Sequence, residues 1–129
     1  MKPKVLIVDD DQNAINLYTR ALEAAGFEVA ANSQAIGTTN KVKEFKPDVI
    51  LMDVMMPALS GTRMVELLKQ NSPTQAAIIL VSNKSEEELK KIMKECGAND
   101  YFPKLNGPAA LVAKVKKHVK VGKAEKPKG

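Results

Sequence analysis

Acidic residues in this sequence stand directly behind short apolar runs. Val5-Leu6-Ile7-Val8 ends in Asp9-Asp10-Asp11, and Val49-Ile50-Leu51-Met52 ends in Asp53. The apolar run over residues 77–81 ends in Ser82, and Asp100-Tyr101-Phe102 is closed by Pro103-Lys104. Runs this short and rich in β-branched residues predict strands buried on both faces. In an open α/β sheet, ligands and chemistry collect at the C-terminal edge of the strands. Parallel strands would therefore bring Asp9, Asp10, Asp53, Ser82 and Lys104 to one rim. Carboxylates a few ångströms apart repel, and folding gives no reason to gather them. Oxygen ligands of this kind suit a hard cation such as Mg2+, which keeps several waters. A cation, an ammonium and a small hydroxyl are what a phosphoryl group needs, and a carboxylate can attack it in line. Taken singly, each residue has a plain alternative: an acidic helix cap for Asp9 to Asp11, a turn for Ser82, a solvated charge for Lys104. Their common place at strand ends argues for a site.

The elements that must position these groups can be read between them. Ala14, Leu17, Tyr18, Ala21, Leu22 and Ala25 share one helical face, with Asp11 as N-cap and Gly26 just past the end. Residues 27–31 read as strand. Residues 33–45 carry a weaker helical pattern, because Gly37, Thr38 and Thr39 oppose it. Lys46-Pro47-Asp48 breaks the chain before the central strand, and Pro57 stops it afterwards. Ala58-Leu59-Ser60-Gly61 reads as a loop, followed by a helix through Met64, Val65, Leu67 and Leu68 that ends near Asn71-Ser72-Pro73. Ser85 with Glu88 forms a capping box. Leu89, Ile92, Met93 and Cys96 are the buried stripe of that helix, and Gly97 ends it. Pro108 opens a last helix with Leu111, Val112, Val115 and Val119 on one face. Five strands thus alternate with five helices, and short loops predict parallel neighbours joined by right-handed crossovers.

A chain of 129 residues has the size of one domain. No apolar run approaches the roughly 20 residues that cross a bilayer, and no signal peptide is visible, so a cytoplasmic protein without a membrane partner is expected. The single Cys96 excludes an intramolecular disulfide, and its apolar helical position predicts a buried, inert thiol. The net charge of +5 is uneven, since residues 113–129 carry seven lysines and one glutamate. The rest is near neutral, which excludes a domain-wide nucleic-acid surface. Residues 1–120 are expected to form the domain, and residues 121–129 a disordered Lys-rich tail or the start of a linker.

The motifs Val8-Asp9-Asp10-Asp11, Met52-Asp53-Val54-Met55-Met56-Pro57 with Gly61, Val81-Ser82, and Gly97-Ala98-Asn99-Asp100-Tyr101 through Pro103-Lys104 resemble, as a set, the receiver domain of two-component response regulators. The resemblance covers residues 3–120. It implies a flavodoxin-like doubly wound (βα)5 fold, CheY-like, with sheet order 2-1-3-4-5. It also implies that Asp53 is the phosphoacceptor. Asp9 and Asp10 would hold Mg2+ together with Asp53 and the backbone carbonyl of Met55. Ser82 would be the switch hydroxyl, Lys104 the phosphate's partner and Tyr101 the aromatic switch residue. Two positions depart from the family pattern: Leu105 follows the lysine where proline is usual, and Asn83 follows the hydroxyl where a smaller residue is usual.

The implied partners are a sensor histidine kinase or phosphotransfer protein, with a small phosphodonor such as acetyl phosphate as substitute. A downstream effector would bind the last two helices and fifth strand. Lys90, Lys91 and Lys94 lie on the exposed side of the fourth helix, which suits an acidic patch on that effector. The domain is expected to be a signalling module that promotes its own phosphorylation and dephosphorylation. Met55 and Lys84 would flank the path of the hydrolytic water. The competing reading is a receiver-like scaffold that binds partners without phosphorylation. Nucleic-acid binding through the Lys-rich tail is a third class, not expected of the domain alone. His118 sits near the last helix's C-terminus, where a partly positive imidazole is mildly favourable.

Overall fold

The computed structural model describes residues 2–34, 36–55, 61–71 and 76–119, except the side chains of residues 61 and 71. The elements follow the expected alternation: β1 Lys4–Val8, α1 Gln12–Ala24, β2 Glu28–Asn32, α2 Thr38–Phe45, β3 Val49–Asp53, α3 Gly61–Asn71, β4 Ala77–Ser82, α4 Glu86–Cys96, β5 Asp100–Pro103 and α5 Pro108–His118. A 3-10 turn, Lys104–Asn106, joins β5 to α5. The stop at Pro57, residues 58–60 of the loop after it, Ser72-Pro73 and the Lys-rich stretch from residue 121 lie outside the described residues, while Gly61, expected in that loop, opens α3, and Asn71 ends it as expected.

All five strands pair in parallel, in the order β2-β1-β3-β4-β5. Side chains of a strand alternate between faces, and each of the central strands is apolar at nearly every position, so both faces need cover. Leu6, Val8, Ile50, Met52, Ile78 and Leu80 pack on one side with Val42, Val65, Leu68 and Leu89 of α2, α3 and α4. Val5, Ile7, Val49, Leu51, Ile79 and Val81 pack on the other with Ile15, Tyr18, Leu22, Leu111 and Val115 of α1 and α5. This three-layer arrangement forces β1, β3 and β4 to end side by side. Met52 is level with Val8 of β1, and Asp53 with Val81 of β4.

Local chemistry fixes the helix ends. Asp11 accepts the amides of Asn13 and Ala14 at the start of α1, leaving the chain extended as it leaves β1. Ser85 and Glu88 form the expected reciprocal box at the start of α4. Gly97 closes that helix at φ +84°, a left-handed conformation that a side chain would strain.

Four expectations are corrected. Leu17 does not share the buried face of α1; it is 50% exposed, and Ile15 is buried instead. At 100° per residue, Ala14, Ile15, Tyr18 and Leu22 define the stripe, and Leu17 falls roughly 100° from its centre. The second helix begins at Thr38 rather than Ser33, because Gly37 stands at φ +90° as its N-cap. The fifth strand extends to Pro103, which is in register with Ser82; an edge position lacks a neighbour that would need the missing amide. Val119 lies beyond the end of α5 in extended backbone, though it is buried.

Candidate functional site

β1, β3 and the turn after β5 deliver their charged groups to one place. Asp9, Asp10 and Asp53 each offer a carboxylate oxygen, and these oxygens lie within 4.8 Å of one another. Asp9 and Asp53 are buried, while Asp10 is exposed at the rim. Asp9 is held from two sides. Its Oδ1 accepts the amide of Asp11 at 2.9 Å, and its Oδ2 takes the Lys104 ammonium at 2.9 Å. Asp53, 5% exposed, accepts the Met55 amide on Oδ1 at 3.1 Å. That i to i+2 bond turns the chain at the strand's end.

The electrostatics follow from this crowding. Burial and the neighbouring Asp9 carboxylate push Asp53 up from 3.8 to about 7, against the opposing pull of the Met55 amide and of Lys104. Lys104 responds in the other sense. Burial works to lower it, but the bond to Asp9 and the charges of Asp9 and Asp53 outweigh that, and its pKa is raised. The site thus holds more negative charge than one lysine balances.

Ser82 is buried at the end of β4, and its Oγ accepts the amide of Lys84 at 3.2 Å. Tyr101 is half-buried in β5, and its hydroxyl donates to Glu86 Oε2 at the start of α4, 2.8 Å away. Lys114 of α5 stands over the Tyr101 ring at 5.2 Å from its centroid. Met55 is 60% exposed beside Asp53, and Leu105 is 87% exposed in the turn after Lys104. The structure therefore gathers Asp9, Asp10, Asp53 and Lys104, sets Ser82 at the neighbouring strand end, and ties Tyr101 to α4.

Two residues near these groups carry no sequence signal of their place here. By spacing, Tyr18 belongs to the apolar stripe of α1. It is 3% exposed, and its phenol is raised by burial and feels the charges of Lys104, Asp9, Asp11 and Asp53. By position, His118 is a residue of the last turn of α5. Its Nε2 lies 2.7 Å from Oδ2 of Asp100, and Lys114 reaches Oδ1 at 3.3 Å. Burial works to raise Asp100, yet His118, the Tyr101 amide and Lys114 together hold it below its ordinary value. Heptad-like spacing could have flagged Tyr18 as a polar tip on an apolar face; nothing in spacing links His118 to Asp100.

Among the described residues, no helix is long and apolar enough to cross a membrane. A five-stranded parallel sheet in this order defines a doubly wound α/β domain, and the acids gathered at its C-terminal edge form a group that could hold a cation. The description "Response regulator receiver domain" matches residues 5–116, and the chain belongs to that family. Over 116 residues it is 34% identical to the alkaline phosphatase synthesis transcriptional regulatory protein PhoP of Bacillus subtilis, covering 90% of this chain and 48% of that protein. The chain spans about half the length of the curated relatives it matches. Among solved structures, the Vibrio cholerae chemotaxis protein CheY4 aligns with a TM-score of 0.84 at 26% identity, covering 92% of this chain and all of that one. The response regulator DrrB, an OmpR/PhoB homologue of Thermotoga maritima, aligns with a TM-score of 0.80 at 30% identity, over 94% of this chain and 54% of that one.

Receiver domains of two-component response regulators signal by phosphorylation, so a phosphorylation-independent scaffold is not favoured. They bind Mg2+, and the acidic cluster here fits such an ion. Mg2+ holds oxygens at about 2.1 Å, so ligand oxygens around it are up to about 4.2 Å apart. A spread within 4.8 Å meets that with small side-chain adjustments.

Proposed function

We infer that Asp53 accepts a phosphoryl group from the phosphohistidine of a sensor kinase or phosphotransfer protein, or from acetyl phosphate. The gathering of three carboxylates, one of them paired with Lys104, carries this reading. Asp9, Asp10, Asp53 and the backbone carbonyl of Met55 would hold Mg2+, which would supply charge neutralisation for the transferring phosphoryl oxygens. Asp9 is preset for this by the Asp11 amide and Lys104.

The step is an in-line displacement. An oxygen of the Asp53 carboxylate attacks phosphorus, the P–O bond forms as the P–N bond to the donor imidazole breaks, and the nitrogen leaves with the bonding pair. A cation at the site favours the ionised, nucleophilic form of Asp53, opposing the burial and repulsion that raise it. The new dianion then competes with Asp9 for Lys104. It also draws the Ser82 hydroxyl from its bond with the Lys84 amide. β4 carries Ser82 and neighbours β5, so this movement reaches Tyr101, whose bond to Glu86 ties β5 to α4. The effector reads α4, β5 and α5. Lys90, Lys91 and Lys94 are exposed on α4 and suit an acidic partner patch. The domain occupies residues 1–120, with residues 121–129 as tail or linker, in a cytoplasmic protein.

The test is mass spectrometry of the intact chain after acetyl phosphate and Mg2+. The native chain should gain one phosphate, and Asp53→Asn should gain none. Equal labelling of both, or no labelling of either, would end this reading.

A further inference from the structure

What positions Lys104 is not explained by its own segment. It opens a single 3-10 turn, and Leu105 and Asn106 after it are exposed, so no buried side chain anchors the turn from behind. Among the described residues, the bond that fixes its ammonium is the one to Asp9. A second group is at hand on α1. Tyr18 shares its apolar surroundings with Phe102, two residues before Lys104, and with Leu111 of α5. Helical side chains lean toward the N-terminus of their helix, where Asp9 and Asp11 stand, and the Tyr18 phenol feels both of them, Asp53 and Lys104. Among the described residues the hydroxyl has no hydrogen-bond partner. A hydroxyl buried without one is costly and needs a reason.

We propose that Tyr18 is a positioning residue for Lys104: its phenol oxygen accepts a hydrogen bond from the lysine ammonium once that group leaves Asp9 for a phosphoryl group on Asp53. An ammonium has three donors. Asp9 engages one in the resting protein, and a phosphoryl group would engage another. A buried oxygen on α1 supplies an acceptor for the next and holds the ammonium's direction. Tyrosine fits where phenylalanine would pack equally well, because only the oxygen can meet the charge. This inference rests on the reading of Asp53 as phosphoacceptor.

The experiment compares the full chain with Tyr18→Phe, using beryllofluoride with Mg2+ as the phosphoryl mimic. Three quantities are read: affinity for the mimic, the ligand-free melting temperature, and the exchange rate of the Lys104 Nζ protons in the complex by NMR. Loss of one hydrogen bond to a charged group should weaken binding about tenfold. The melting temperature should stay level or rise, because the variant loses only an unpartnered hydroxyl, and Nζ exchange should quicken. Affinity within twofold of native would overturn the assignment, as would a loss of affinity that merely tracks a lowered melting temperature. A native chain that takes up no mimic would remove the Asp53 reading, and this inference with it.

Discussion

Replacing Asp53 by asparagine should make the metal-free protein more stable at pH 8 and change little at pH 4. Asp53 is raised from 3.8 to about 7 by burial and by Asp9. Between those values the folded chain holds a proton that the unfolded chain has lost. Stability is therefore fully present below 3.8, falls as pH rises, and levels off above about 7. At about 1.4 kcal/mol per pH unit, the whole interval is worth about 4 kcal/mol. Asparagine carries no charge to desolvate and removes the repulsion on Asp9, but its amide is itself buried. The expected gain at pH 8 is thus roughly 2–4 kcal/mol, or roughly 10 °C in melting temperature for a domain of this size. The assay is thermal or urea unfolding of both proteins in EDTA at low salt, from pH 4 to pH 8.5. The two curves should meet near pH 4 and diverge upward. Adding Mg2+ at pH 8 should narrow the gap, because the native carboxylate gains a partner there. A variant no more stable than the native chain at pH 8, or a gap that ignores pH, would refute the argument.

Three further outcomes follow from other parts of the molecule. Met55 is exposed beside Asp53 and has no polar group to orient a hydrolytic water, so the phosphorylated chain should lose its phosphate over minutes or longer, and Met55→Asn should speed the loss in a phosphate-release assay. Ser85→Ala removes both partners' geometry in the α4 cap and should cost about 1 kcal/mol in urea unfolding. Leu80 is fully buried in β4, and Leu80→Ala should cost about 2–5 kcal/mol by the same measurement.

Much of the architecture was legible because the central strands are buried on both faces and have to be apolar at almost every position. Val5 to Val8 and Val49 to Met52 announce themselves for that reason. The α4 ends were legible because Ser85, Glu88 and Gly97 act locally. Leu17 and Ile15 were exchanged because periodicity gives a stripe's width but not the angle at which α1 settles on the sheet. The acids could be assigned to one site because parallel strands must end together. The bond between His118 and Asp100 could not, since it depends on where the end of α5 falls beside β5, 18 residues away in sequence. Tyr18 was hidden in the same way: its ring obeys the apolar pattern, and only packing reveals what its oxygen faces.

The acids of β1 and β3 belong to the first half of the chain, whereas the cation that answers them comes at residue 104. During synthesis, Asp9 and Asp53 would emerge and draw together well before Lys104 leaves the ribosome. Until then the growing polypeptide carries an unbalanced pair at its centre and lacks the strand and helix that cover one side of β4. Early docking of β1 beside β3 thus brings two carboxylates together without their cation, a repulsion that the later elements carrying Lys104 relieve.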